Sequence, residues 1–131
     1  MVKSIFAVLV GVIGGAIVIW LVEMLGHAIV PPPDGMDFMD PESIREHMKE
    51  LPLLAFIMVL TAYAAGSFAG GLLASGIADK MKIRHALIAG VLLQLMGIIN
   101  LILVPHPLWF TIISLLLYLP MAYLGGRIVL K

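Results

Sequence analysis

Glu23 and His27 are the two residues of this sequence best placed to do chemistry. They stand four apart in a long apolar run, so a helix would project both from one face. An ionisable side chain inside an apolar span costs at least about 2.5 kcal/mol, and such groups usually face the protein interior or a wet cavity. A carboxylate and an imidazole at this spacing can share one metal ion. The carboxylate can also orient the imidazole and raise its basicity, and the two can pass a proton. The plainer alternative is that both sit at a membrane interface and hydrogen-bond to each other or to the proline-rich segment that follows.

Further candidates fall on the same side as His27 in a spanning arrangement. They are His47, His106 and the acidic segment that holds Asp37 and Asp40. Tyr63, Asn100, Thr111 and Ser114 belong to the helix halves nearest that side. The expected ligand-binding set is therefore Glu23, His27, Asp37, Asp40, Asn100 and His106. Glu23, His27 and His106 form the metal-ligating subset, with a divalent metal as the expected cofactor. Nitrogen and carboxylate donors without sulfur suit zinc, manganese or iron more than copper(I). The spacing matches no established metal motif such as the His-Glu-x-x-His helix, and a run of acids beside a membrane is also what a solvated loop looks like.

No catalytic residue is assigned, because the chain has no serine nucleophile motif, phosphate-cradling glycine loop or dinucleotide fingerprint. The absence of cysteine excludes disulfides, thiolate metal sites and a cysteine nucleophile. The few basic residues are scattered and lack aromatic platforms, which excludes a nucleic-acid surface.

The elements that must position these residues follow from composition. Of 131 residues, 62% are hydrophobic and only 12% charged, and mean hydropathy is +1.12. Soluble domains carry about 25% charged residues. A chain this short cannot hide so much apolar surface from water, so lipid is the expected solvent. A spanning helix needs about 20 mainly apolar residues. Four stretches qualify, at about 4–30, 51–78, 85–104 and 107–129, and they predict a single all-α domain, a four-transmembrane-helix bundle. Pro31-Pro32-Pro33 ends the first. Asp79 to Arg84 reads as too polar for hydrocarbon and separates the second from the third. Pro105-His106-Pro107 turns the chain into the fourth, with Trp109 at an interfacial position.

Lys3, Lys80, Lys82, Arg84, Arg127 and Lys131 all fall on one side of this plan. The other side has Arg45 and Lys49 against Asp34, Asp37, Asp40, Glu42, Glu46 and Glu50. The positive-inside bias then predicts cytoplasmic N- and C-termini. The first apolar run is too long for a signal-peptide core and lacks a clear cleavage motif, so an uncleaved start is expected. In the outer segment, Asp40-Pro41 reads as an N-cap with proline at the first helical position. Ile44, Met48 and Leu51 follow at helical spacing, which predicts a short amphipathic helix on the outer membrane face, with a simple re-entry turn as the alternative.

Each span carries a stripe of small or polar residues. Ala62, Gly66, Gly70 and Ala74 form the longest, flanked by Tyr63, Ser67, Gly71 and Ser75; Gly11 and Gly15 repeat it in the first span, and Ala86, Gly90, Gln94 and Gly97 share a face in the third. Thr111, Ser114, Tyr118 and Gly125 do so in the fourth, where Pro120 is a site for a kink. Such stripes let helix backbones approach, which favours packing within the bundle over a pore lining. A homo-oligomer is expected because one four-helix unit has only a small interior. Gln94 and Tyr118, near mid-span, are placed to hydrogen-bond between helices, and His85 reads as part of a basic anchor near anionic headgroups. Both hairpins place a histidine near prolines at the outer turn and a Gly-Gly pair in the second helix, a weak internal echo.

Gly26-His27, then Pro31 to Asp37, then Ala65-Gly66-Ser67-Phe68-Ala69-Gly70-Gly71, resembles a group of small bacterial four-span proteins of unknown function. The likeness covers roughly the first half of the chain and implies no activity. It implies a bacterial inner membrane as the location. In plan alone the chain is also similar to small multidrug-resistance transporters, which are short and four-spanned with one glutamate in the first helix. Their sequence motifs are missing, Glu23 lies nearer the outer end, and the first loop is longer and acidic. The leading expectation is binding or transport of an ion or small polar solute at an outer-facing Glu/His site. The alternatives are a metal-dependent membrane enzyme acting on a lipid-borne substrate and an accessory subunit of a larger membrane complex.

Overall fold

The computed structural model describes residues 2–31, 35, 40, 42, 43, 46, 52–103 and 107–129. Four helices account for nearly all of them: α1 (Val2–Ile29), α2 (Leu53–Ile77), α3 (Lys82–Leu103) and α4 (Leu108–Val129). Each is long and apolar enough to cross a membrane. Pro52 stands in extended backbone just before α2, where its missing N–H costs nothing. Thr111 donates both its backbone N–H and its hydroxyl to the Pro107 carbonyl, which closes the first turn of α4. That helix then runs unbroken through Pro120.

Consecutive helices are antiparallel, and α2 packs against all three others. So does α3, whereas α1 and α4 touch at most marginally. The order around the bundle is therefore α1, α2, α4, α3, with α2 and α3 across the diagonal. This leaves one end with both termini and the α2–α3 link, and an opposite end with the α1–α2 and α3–α4 connections.

Small residues set the closest approaches. A Cβ on Gly11 would lie 2.7 Å from the Gly70 carbonyl oxygen, and one on Gly15 would lie 2.7 Å from that of Gly66. Gly71 and Gly125 make a reciprocal contact between α2 and α4. A Cβ on the first would strike the Ala122 carbonyl, and one on the second the Phe68 carbonyl. Backbones this close give dispersion contacts that longer side chains would prevent. Leu93 fills the middle, almost fully buried and reaching both Gly15 and Gly70. Large apolar side chains elsewhere point outward, among them Leu9, Ile13, Ile17 and Trp20 on α1 and Ile112 and Leu116 on α4.

The link between α2 and α3 differs from the polar break expected there. Only Ala78 to Met81 is non-helical, and Lys82, Ile83 and Arg84 already belong to α3. The Lys82 ammonium donates to the carbonyls of Ser75 (3.0 Å) and Ala78 (2.5 Å), where a cation satisfies the open carbonyls of a helix C-terminus. Ser75 returns its hydroxyl to the Lys82 carbonyl at 2.8 Å. Met81 holds a left-handed φ of 51°, unfavourable for a residue with a Cβ by about 1 kcal/mol. Its carbonyl accepts from the His85 backbone N–H and from His85 Nδ1–H. His85 is thus buried, not part of a headgroup anchor, because its ring turns back onto the Met81 carbonyl instead of outward. At the same end, Lys3 pairs with Asp79 at 2.7 Å and holds that carboxyl below its usual range.

Candidate functional site

Glu23 is the interior carboxylate of the opposite end. Two contacts fix its level. Nearer the middle of α1, Ile19 packs against Gly66, and nearer the end Gly26 meets Met58. Glu23 lies between them, level with the α2 turn that carries Tyr63. It is half-buried, and its charge acts on Tyr63 and on Tyr118 of α4. Tyr63 shares a hydrogen bond with Asn100 of α3. Tyr63 of α2 and Tyr118 of α4 thus lie within electrostatic range of the carboxylate, and Asn100 of α3, itself exposed, is joined to it only through Tyr63.

An aromatic wall backs these groups. Tyr63 stacks on Tyr118 with centroids 5.5 Å apart and planes at 28°. Phe110 lies against Tyr63 at 6.2 Å and Phe56 at 5.5 Å, and Trp109 closes on Phe56 edge-on at 5.7 Å. Phe56, Tyr63, Phe110 and Tyr118 are all buried. The Tyr118 hydroxyl lies over Gly97, where a larger residue would collide with it. Chemically the site offers a carboxylate, two phenols and a primary amide, with apolar surface behind them. That donor set suits a cation or a proton.

The residues expected from sequence divide into three groups. Glu23 and Asn100 come together through Tyr63. His27 is exposed at the end of α1. Asp40 is also exposed, and its Oδ1 accepts the Glu42 backbone N–H at 3.0 Å, the bond an N-cap makes. Asp37, His47 and His106 lie outside the described residues, as does most of the segment read as an amphipathic helix, of which Glu42, Ser43 and Glu46 are helical. Among the described residues no three His, Cys, Asp or Glu side chains are grouped to hold a metal.

Two members of the neighbourhood were given no ligand role by sequence reading. Tyr118 was noted only as a mid-span hydrogen bonder, and Ser67 only as a flank of the small-residue stripe. The available signal was the four-residue spacing of Tyr63, Ser67, Gly71 and Ser75, which puts all four on one buried face of α2. Comparison of the chain with protein families, curated proteins and solved structures returns no match.

Proposed function

We propose that the chain spans a bilayer four times and binds a small cation or polar solute through Glu23, entering from the end that carries the α1–α2 connection. The observation that carries this reading is a half-buried carboxylate on a 28-residue apolar helix, level with Tyr63 and with no other buried charge at that level among the described residues. At 1.5 Å per residue, Glu23 stands about 11 Å from the helix midpoint and His27 about 17 Å. A hydrocarbon core of about 30 Å then encloses the carboxylate and leaves the imidazole at the boundary. A charge kept at that depth with no lysine or arginine beside it among the described residues is a functional feature by default.

Lys3, Lys80, Lys82, Arg84 and Arg127 at the opposite end support cytoplasmic termini, and a bacterial inner membrane accords with them. The ligand then enters from the non-cytoplasmic side, where His27 and the acidic connection can attract it. The outward Leu, Ile and Trp side chains support lipid as the surrounding solvent. The test is Glu23→Gln in purified protein and in liposomes. Loss of ligand binding or flux, with helical content and monodispersity retained, is the expected result. Binding and flux equal to wild type would refute the role of Glu23.

A further inference from the structure

The link between α2 and α3 presents a cation and an apolar side chain that the packing of the bundle does not use. Met81 holds a left-handed φ of 51°, a conformation that glycine adopts at less cost. Strain of this kind persists where the surrounding structure imposes it, and it gathers at ligand clamps. Here His85 fixes the Met81 carbonyl, and Lys82 is anchored to the end of α2. The Met81 side chain is nevertheless 66% exposed, so burial does not account for it. Its sulfur accepts from the Arg84 guanidinium at 3.4 Å, a weak bond that leaves the other Arg84 donors open. Arg84 is exposed and makes no ion pair among the described residues.

These side chains border one open cavity of about 540 Å³, lined by Asp79, Met81, Lys82, Ile83 and Arg84. Its charged groups are unequally engaged. The Lys82 ammonium is committed to the Ser75 and Ala78 carbonyls, though its charge remains. The Asp79 carboxylate is paired with Lys3 at 2.7 Å. Arg84 is the lining cation with donors to spare. The surroundings reinforce it, because Lys3, Lys80, Lys82, Arg84 and Arg127 share this end with Asp79, its one acid among the described residues. A guanidinium fork matches the oxygens of a phosphate, which a point charge does less well. Met81 and Ile83 add apolar surface to the same cavity.

We propose that this cavity binds the phosphate of an anionic phospholipid headgroup, with Arg84 as the donor, Lys82 adding charge, and Met81 and Ile83 against the apolar part of the same lipid. In a chain that crosses a bilayer the link between two spans lies at headgroup level, where basic residues draw anionic lipid. The proposal rests on the reading that the chain spans a bilayer and needs nothing from Glu23. A free phosphate ion would offer Arg84 the same oxygens but no apolar part. The two sources therefore differ in what they ask of Met81.

The experiment is thermal unfolding of the full chain in detergent micelles containing phosphatidylglycerol or phosphatidylcholine, and in sodium phosphate or sodium chloride at equal ionic strength. Wild type is compared with Arg84→Gln, Arg84→Lys, Met81→Gly and Arg127→Gln. The last removes a cation from the same end that does not line the cavity. Phosphatidylglycerol raises the melting temperature of wild type, and phosphatidylcholine does not. Arg84→Gln raises the half-saturating lipid fraction about tenfold. Arg84→Lys raises it less, since the charge stays and the fork is lost, and Arg127→Gln raises it least. Without lipid, Met81→Gly melts no lower than wild type because glycine tolerates this backbone, yet it needs more lipid to respond.

A response to sodium phosphate that equals the response to phosphatidylglycerol and ignores Met81→Gly overturns the lipid assignment and makes a free phosphate ion the ligand of Arg84. Equal shifts from Arg84→Gln and Arg127→Gln reduce the effect to diffuse attraction and overturn the site. Equal responses to the two lipids do the same. Wild type that is stripped from phosphatidylcholine vesicles by alkaline extraction brings down the bilayer reading itself. Wild type that resists extraction but shows no lipid selectivity brings down this proposal alone.

Discussion

At the termini end the polar groups hold one another. Lys82 closes the C-terminus of α2, Ser75 answers it, His85 fastens Met81, and Lys3 reaches Asp79. At the other end Glu23 has no basic residue of the helices beside it except the exposed His27, and Ser67, between the two regions, has no partner at all among the described residues. The glycine contacts follow the same division, with Gly11, Gly70, Gly71 and Gly125 drawing backbones together toward the termini. Toward the connections the core is aromatic. Polar groups that complete each other's hydrogen bonds serve the fold, while groups left incomplete at similar depth are available to something else. The contrast locates function by what the packing leaves undone.

The comparison breaks most visibly at its tightest point. Replacing Gly71 by leucine forces a side chain into the Ala122 carbonyl of α4, and a loss of about 3 kcal/mol or failure to fold is expected. Unfolding in detergent or mixed micelles measures it, and a near-neutral result would mean that the α2–α4 contact is not as close as described. Glu23→Gln moves in the opposite direction. Removing a half-buried charge stabilises the bundle by on the order of 1 kcal/mol while ligand response disappears. A destabilised Glu23→Gln would make the carboxylate a structural group like those of the other end.

Smaller effects sharpen the contrast. Ser75→Ala removes the bond to the Lys82 carbonyl and is expected to cost about 1 kcal/mol, whereas Ser67→Ala, with no protein partner to lose, costs less. Equal losses from the two serines would erase the distinction drawn between them. The smallest effect belongs to Asp79, whose fully exposed carboxyl has its folded pKa lowered by Lys3. Its contribution is present above the ordinary aspartate range and fades as pH falls through the lowered folded value. A pH series of melting temperatures should therefore show a slight acid-side decline that Asp79→Asn removes and that high salt weakens.

The four long apolar helices were legible because an apolar run of that length has few other uses, and the glycine stripes because close helix contact needs small residues. The start of α3 was not. Lys82 and Arg84 read as residues that end a span, but the lysine turns back to cap α2 and the helix begins beneath it. His85 was misplaced because its hydrogen bond to the Met81 carbonyl is a matter of packing that the basic residues around it do not reveal. The meeting of Glu23, Tyr63 and Asn100 was only partly legible, since all three could be assigned to one side while the pairing of faces could not. Helices apolar all round carry little pattern to tell which face meets which neighbour. Ser67 could be found as a member of a stripe, but only atomic packing distinguishes a satisfied hydroxyl from an orphan one.

The central position of α2 also sets a timetable for biosynthesis. Its glycine face can join α1 as soon as the first hairpin has emerged, because Gly11, Gly15, Gly66 and Gly70 need nothing synthesised later. Its other face must wait. Tyr63 and Gly71 meet Tyr118 and Ala122 only after the last helix is made. Until then that face is left for α3 or for something outside the chain to cover, and a chain stalled before α4 would leave it incomplete.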